Sequence, residues 1–463
     1  MRKSDVLVSP AVLILMLFSL VSCGGGSGSS SPPSTAIDES LPPTQTSIWQ
    51  EATPESVGMD AALLAQAFDQ AFADGSFTQA ALVIKDSKLV YERYRGILAT
   101  EETRLTNATN LNSQTLFGAR DKDSLATTWS TAKSFTSVMI AIAIEQGFIE
   151  SLSEPASTYI DEWQNDERAS ISIRNLLDMR SGLPLVCYDF VAQSLGTCPD
   201  PGSAGGNLVF SDDQMSACIN RPMAATNVIQ PWYSSVSLWQ SGTWLYSNCD
   251  TMVLGEILYR ATGQDLQSYA DVQLFSKIGM EAHWWRDNTS SQVDGNYLAY
   301  CCLDATPRDF AKFGQLILNN GVWDGEQVIP SSYIDSIKNI TVDSVVTQLN
   351  GVLSYGLQFW TLTPSPQDDG SVYPPANRIY STIGFDGQYI TLDFDNNMIL
   401  VRNSLYSPVL SESGERKMSI IQNNAMESSL VGSLPNGLGL PTGSNYSHQK
   451  LLYGVTKAIT TAN

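Results

Sequence analysis

The chain has 463 residues, with 47 Asp and Glu against 26 Lys and Arg, a formal charge of −21 at pH 7. So acidic a surface repels phosphate backbones and excludes nucleic acid as an expected partner. Hydrophobic residues make up 43% and charged residues 16%, which excludes a disordered or collagen-like chain. His283 and His448 are the only histidines, too few for a His-rich metal centre, so no metal and no cofactor is expected.

Residues 1–22 read as a signal peptide. Arg2 and Lys3 supply a positive start, and Val6 to Val21 is almost entirely apolar yet short for a membrane span. Leu20-Val21-Ser22-Cys23 then matches the pattern in which the cysteine becomes the lipid-carrying first residue of a mature lipoprotein. The Gly/Ser/Pro-rich stretch that follows Cys23 is a flexible tether, so 23–47 is expected to be a linker and 48–463 the folded domain. Gly24 is not acidic, and the expected location is the periplasmic side of the outer membrane, anchored through Cys23.

Helical spacing over Met59 to Phe72 opens the domain, followed by strand-like Ala80 to Lys85 and Leu89 to Tyr94 with a turn at Asp86-Ser87-Lys88. Trp129 to Glu145 is a strongly apolar helix closed by Gly147. Ile173 to Met179, Thr251 to Thr262 and Pro307 to Leu318 are helical in pattern. Tyr355 to Thr361, Tyr389 to Phe394 and Met398 to Arg402 are strand-like, with Asp395-Asn396-Asn397 as a turn, and a last helix is expected over Gln449 to Ile459. The fold class is α+β: one sheet from both chain ends (48–125 and 319–463) with a helical lobe (126–318) inserted between them. The long loop from Pro184 to Thr243 and the residue that follows it carry Tyr188, Trp232, Tyr233, Trp239 and Trp244, as a lid or as packing. Six cysteines remain beyond Cys23, namely Cys187, Cys198, Cys218, Cys249, Cys301 and Cys302. No CxxC accompanies them, and an exported chain permits three disulfides, of which Cys187 with Cys198 is the first pair to test.

Three short motifs could carry chemistry. Ser130-Thr131-Ala132-Lys133 places a lysine one helical turn from a serine, where free N–H groups and the helix dipole favour negative charge. A second copy, Ser447-His448-Gln449-Lys450, lies on a polar segment and is set aside. Tyr246-Ser247-Asn248 offers a phenol for proton transfer and an amide for orientation; a buried tyrosine and a helix cap would look the same. Thr382-Ile383-Gly384-Phe385-Asp386-Gly387 lets a backbone approach a ligand closely, or forms a hairpin with Asp386-Gly387 as its turn.

Together, in this order, the three motifs resemble the serine β-lactamase and penicillin-binding-protein superfamily. Its class C β-lactamase-like branch, and within it the 6-aminohexanoate-dimer hydrolases, is the nearest likeness. Ile171-Ser172-Ile173-Arg174-Asn175-Leu176-Leu177-Asp178-Met179-Arg180-Ser181-Gly182-Leu183, Ala305-Thr306-Pro307-Arg308-Asp309-Phe310-Ala311-Lys312-Phe313-Gly314 and Asn320-Gly321-Val322-Trp323-Asp324-Gly325 carry the resemblance further, from about Glu55 to about Tyr453. The resemblance implies an antiparallel sheet flanked by helices, with Ser130 as acylated nucleophile, Lys133 as its proton partner, Tyr246 as general acid/base and Asn248 positioning substrate. Backbone N–H groups of Ser130 and Phe385 would hold the oxyanion beside Gly384 and Thr382. Penicillin-recognising members carry Lys-Thr/Ser-Gly where this chain has Thr382-Ile383-Gly384. Losing that cation weakens carboxylate recognition by on the order of 1.5–3 kcal/mol. The implied activity is therefore hydrolysis of a small ester or amide through an acyl-enzyme. A β-lactamase or D-alanyl-D-alanine carboxypeptidase, and a non-catalytic binding or sensing protein of the same fold, are the alternatives.

Overall fold

A computed structural model describes residues 49–103, 118–183, 186–189, 194–197, 208, 211–221, 244–287, 289, 295–340, 354–366, 378–405, 416 and 445–460. All of them fall in one compact unit, Thr46–Asn463. The signal peptide, Cys23 and the linker expected from the sequence lie outside the described residues, as do Trp232, Tyr233 and Trp239 and the side chain of Tyr188.

The strands are β1 Ala80–Lys85, β2 Lys88–Tyr94, β3 Ala126–Thr127, β4 Val186–Asp189, β5 Ser194–Thr197, β6 Ala282–Trp284, β7 Leu303–Ala305, β8 Val322–Trp323, β9 Glu326–Gln327, β10 Tyr355–Gly356, β11 Phe359–Thr361, β12 Ile379–Gly384, β13 Gln388–Asp393 and β14 Met398–Asn403. The helices are α1 Ala61–Ala71, α2 Ala132–Glu145, α3 Ile173–Leu177, α4 Gln214–Ile219, α5 Asn248–Thr262, α6 Leu266–Ala270, α7 Ser276–Ile278, α8 Pro307–Leu318, α9 Ser331–Lys338 and α10 His448–Lys457.

Seven strands form one antiparallel sheet in the order β10-β11-β12-β13-β14-β1-β2, so both chain ends meet in it. Strands β1 and β14 read as apolar runs because both faces of the sheet are covered there. Leu82 and Ile84 of β1, with Ile399 and Val401 of β14, face the large core that holds α2 and α8. Val83 and Leu400 face the second core, under α1 and α10. The β1–β2 turn places Asp86 (φ 50°) and Ser87 (φ 62°) in the left-handed region, which suits a two-residue hairpin. Asp60 caps α1 by accepting from the Ala62 and Leu63 amides, and its own N–H reaches the Ala458 carbonyl at 2.7 Å after α10.

Every residue of α2 from Ala132 to Ala143 is buried, which explains why the sequence is apolar around the whole helix. Lys133 is its one cationic residue.

Four expectations are corrected. The inserted lobe is not all-helical: β3, β7 and β6 form a three-stranded sheet, and β4 pairs with β5. Helix α8 packs on the large sheet instead of joining the helical lobe; a Cβ at Gly314 would touch Ile390, Leu392 and Ile399. The strand expected over Tyr355 to Thr361 folds back on itself, because Leu357 (φ 48°) and Gln358 (φ 66°) turn left-handed and pair Tyr355 with Trp360. Finally, α5 starts at Asn248, three residues early, so its first turn contains the second motif's asparagine.

Disulfides join Cys218 to Cys249 and Cys301 to Cys302. Cys187 sits opposite Gly196 in the β4–β5 ladder, while its side chain and Cys198 lie outside the described residues.

Candidate active site

The segment that carries Ser130 is held under backbone strain. Trp129 has φ 45°, a conformation that costs a side-chain-bearing residue about 1–3 kcal/mol. A 3-10 turn over Trp129–Thr131 then leads into α2, leaving Ser130 half-buried at the helix entrance. Thr128 secures the approach, since its N–H and hydroxyl bond the carbonyl and N–H of Leu303. Thr131 donates to the Gln388 carbonyl across to β13.

Lys133 Nζ lies 2.9 Å from Ser130 Oγ, 2.8 Å from Asn248 Oδ1 and 2.9 Å from the Tyr300 carbonyl oxygen. The side chain is 1% exposed. Burial alone pushes its amine well below the ordinary lysine range. The Tyr246 ring centroid is 4.9 Å from the amine, and its phenol is close enough to the Ser130 hydroxyl to feel its pull. Burial drives the Tyr246 phenol up, against a smaller downward pull from Ser130, so it carries its proton at neutral pH.

Four residues from two stretches of the chain therefore converge, Ser130 with Lys133 and Tyr246 with Asn248. Ser130 and Lys133 share one face across the turn into α2. Asn248 is the first residue of α5. Tyr246 lies just before it, in a segment tied to Met179: the Leu245 N–H reaches the Met179 carbonyl at 2.8 Å and the Ser247 N–H the Met179 sulfur at 3.3 Å. Buried Trp244 packs against Tyr246, Tyr355 and Trp360, so this aromatic is packing rather than a lid.

The third motif lies alongside. A Cβ on Gly384 would sit 2.1 Å from the Thr128 carbonyl oxygen, so glycine here is what lets β12 reach the segment that carries Ser130. The Trp129 and Phe385 rings lie 6.2 Å apart. Asp386 (φ 59°) and Gly387 (φ 81°) make the hairpin turn, and Arg402 clamps it by donating to both their carbonyls at 2.7 Å. Asp386 is pushed up to about 7 by burial, against the opposing pull of Arg402. The Thr382 hydroxyl accepts the Ile390 N–H within the sheet.

The second Ser-x-x-Lys is a helix cap, with Ser447 accepting the Lys450 backbone N–H instead of meeting its amine. Neither histidine joins the site. His448 bonds Thr391 and Tyr446, and His283 bonds Glu281. Among the described residues no cluster of His, Cys, Asp and Glu is arranged to hold a metal.

Two site residues escaped the sequence reading. Tyr300 contributes through its carbonyl, which any residue type possesses. Gln358 accepts from Ser134 at its carbonyl and from Thr251 at its side chain, and donates to the Leu176 and Leu177 carbonyls, tying α2, α5 and α3 together. Only its place in a hairpin turn reveals it.

A family model described as Beta-lactamase matches residues 64–417, well over half of the chain. The chain belongs to the beta-lactamase family. This beta-lactamase-family chain is 23% identical over 377 residues to the 6-aminohexanoate-dimer hydrolase of Paenarthrobacter ureafaciens, covering 80% of this chain and 83% of that protein. Among solved structures it shares its fold with a penicillin-binding protein homologue from Caulobacter crescentus (TM-score 0.52, 13% identity, 80% of this chain and 97% of the other). EstCE1, a hydrolase with promiscuous acyltransferase activity, is similar to the same degree (TM-score 0.52, 12% identity, 80% and 97%). The chain is thus a serine hydrolase of this family.

Proposed function

We propose that the protein hydrolyses small amides or esters through an acyl-enzyme on Ser130. One observation carries this reading: the amine of Lys133 is buried against three uncharged oxygens, where desolvation favours its neutral form. A neutral amine has two N–H groups and one lone pair. Asn248 Oδ1 and the Tyr300 carbonyl only accept, so they take the two N–H groups, and the lone pair is left facing the Ser130 hydroxyl.

In acylation Lys133 takes the Ser130 proton while Oγ attacks the substrate carbonyl carbon. The oxyanion that forms is held by the Ser130 and Phe385 N–H groups, at a helix entrance that favours negative charge. Tyr246 gives its proton to the departing amine or alkoxide and recovers one from Lys133. Water then attacks the acyl carbon, losing its proton to the same pair, and Ser130 leaves with a proton restored. Asn248 holds the amine of Lys133 in place throughout. Amide and ester cleavage also accords with the 6-aminohexanoate-dimer hydrolase relative. The strand Thr382-Ile383-Gly384 offers no cation for a substrate carboxylate, which weighs against lactam turnover. The enzyme would act from the cell envelope, tethered through Cys23.

A fluorophosphonate probe applied to cells tests this. Labelling should fall on Ser130, vanish in Ser130→Ala, and move from membrane to soluble fractions in Cys23→Ala. Purified enzyme should turn over a p-nitrophenyl ester faster than nitrocefin. An unlabelled wild type sinks the proposal, and faster lactam hydrolysis replaces it with a β-lactamase.

A further inference from the structure

Besides Ser130, Lys133 has two hydrogen-bond partners, and each immediately precedes a half-cystine. Asn248 is followed by Cys249, bonded to Cys218, and Tyr300 is followed by Cys301, bonded to Cys302. All four sulfurs are in buried residues, none more than 3% exposed.

The Tyr300 arm is a tight turn in which the Cys301 N–H reaches the Leu298 carbonyl at 3.0 Å and the Cys302 carbonyl accepts from the Trp285 N–H at 2.8 Å. Cys302 has φ 64°, a conformation that side-chain-bearing residues rarely adopt. Bonding adjacent residues closes a small ring through a single peptide unit, which removes most of that turn's rotational freedom. Flanking bonds register the turn on the nucleophile's own elements: Thr136 of α2 donates to the Ala299 carbonyl at 2.7 Å, and Leu303 pairs with Thr128. The Asn248 arm is clamped where α5 begins. Arg221, three residues after Cys218, donates to the Ser247 hydroxyl and to Asp250 Oδ1, both at 3.1 Å and both buried. The bridge thus fastens the 218–221 segment to the first turn of α5, so that Asn248 projects its amide oxygen at a fixed height.

We infer that the two disulfides are positioning elements of the hydrolytic site, fixing the two acceptors that orient Lys133, so that opening them leaves a folded enzyme with a misplaced, rehydrated base. The inference rests on Lys133 acting as the base for Ser130. Its consequence concerns protonation. Desolvation depresses the amine, and acceptors that drift admit water and relieve it. The other titratable groups facing the amine are the Tyr246 and Tyr300 phenols, both raised by burial, and Asp250 on α5 is already paired with Arg221. Asp386, on the turn between β12 and β13, also titrates near neutral pH, and because neither disulfide touches that turn its contribution is common to every form compared and cancels in the midpoint shift. Reduction by a dithiol is balanced: each bridge takes two electrons and two protons to give two thiols, and the reductant becomes its cyclic disulfide.

The test is the pH profile of Ser130 acylation by the fluorophosphonate probe. It is measured on the oxidised wild type, on Cys301→Ser/Cys302→Ser and on Cys218→Ser/Cys249→Ser, each confirmed folded by circular dichroism. Should a variant fail to fold, wild type reduced with dithiothreitol replaces it, with opened bridges counted by alkylation and mass. The acid limb is expected to move up by about one pH unit, making acylation about tenfold slower below the midpoint. A purely structural role would lower the amplitude and leave the midpoint in place. A midpoint that stays or falls overturns the inference, while Ser130 labelling of the wild type with its acid limb keeps the acyl-enzyme reading intact. A wild type that does not label overturns both.

Discussion

Lys133 shows at the residue scale how a fold converts burial into reactivity. An exposed lysine is protonated at pH 7 and cannot accept a proton. Here desolvation holds the amine well below 10.5, and no carboxylate is bonded to it to pull it back. The folded pKa is depressed, so the amine becomes available as pH rises through that lowered value, and acylation should climb along an acid limb to a plateau. Lys133→Arg should remove this limb, because a guanidinium stays charged at every accessible pH. The expected loss is about 10²–10⁴-fold in acylation rate, read by stopped-flow burst with a p-nitrophenyl ester. A variant that keeps the wild-type limb would assign the base elsewhere.

At the scale of elements, the site depends on how closely β12 approaches the turn that carries Ser130. Gly384 sets that distance. A methyl group there would overlap the Thr128 carbonyl oxygen, which cannot swing aside because Thr128 is bonded on both sides to Leu303. In Gly384→Ala the strand must back away, at a cost of about 1–3 kcal/mol in stability. A shift of about an ångström at the reacting centre costs about 10²-fold in rate. A fall in kcat of that size with KM little changed is expected, together with a lowered Tm; an unchanged kcat would separate β12 from the chemistry. The elements differ in how readable they were. Helix α8 matches its apolar period from end to end, and β1 and β14 are apolar runs bounded by turn residues. What stayed hidden was set by tertiary contact. Leu357 and Gln358 adopt left-handed backbone that their residue types do not announce, so one expected strand became two. The pairing of Cys218 with Cys249 spans 31 residues and depends on α4 packing against α5, which spacing alone does not encode. Ser130, Lys133, Tyr246 and Asn248 were legible because their side-chain chemistry is specific, whereas the Tyr300 carbonyl was not because every residue has one.

The whole molecule is closed by joining its ends, and His448 sits at that closure. The ring stacks on Tyr389 of β13 at 3.8 Å, with Nε2 2.7 Å from the Thr391 hydroxyl and Nδ1 2.6 Å from the Tyr446 hydroxyl. A neutral imidazole donates once and accepts once, and the two hydroxyls can answer both. Protonation would force both to accept and would add a second cation near Arg402, which already lies 3.9 Å from the Tyr446 ring. Burial, and then Arg402, push His448 well below 6.5. The unfolded chain therefore binds this proton first. Its contribution to stability is intact above about pH 6.5 and is lost as pH falls below it, by about 1.4 kcal/mol between pH 7.5 and 5.5. Buried carboxyls with raised values, Asp250, Asp287, Asp386 and Asp393, work in the opposite sense, since they are more easily held in the fold as protons are added. The net slope of the wild type thus mixes both, and the difference between wild type and His448→Gln isolates the histidine. Urea midpoints at the two pH values should converge for the pair as pH drops, because only the wild type gives up the histidine's share. Parallel lines across that interval would mean that His448 keeps its charge state on unfolding and that the closure of the chain ends is indifferent to acid.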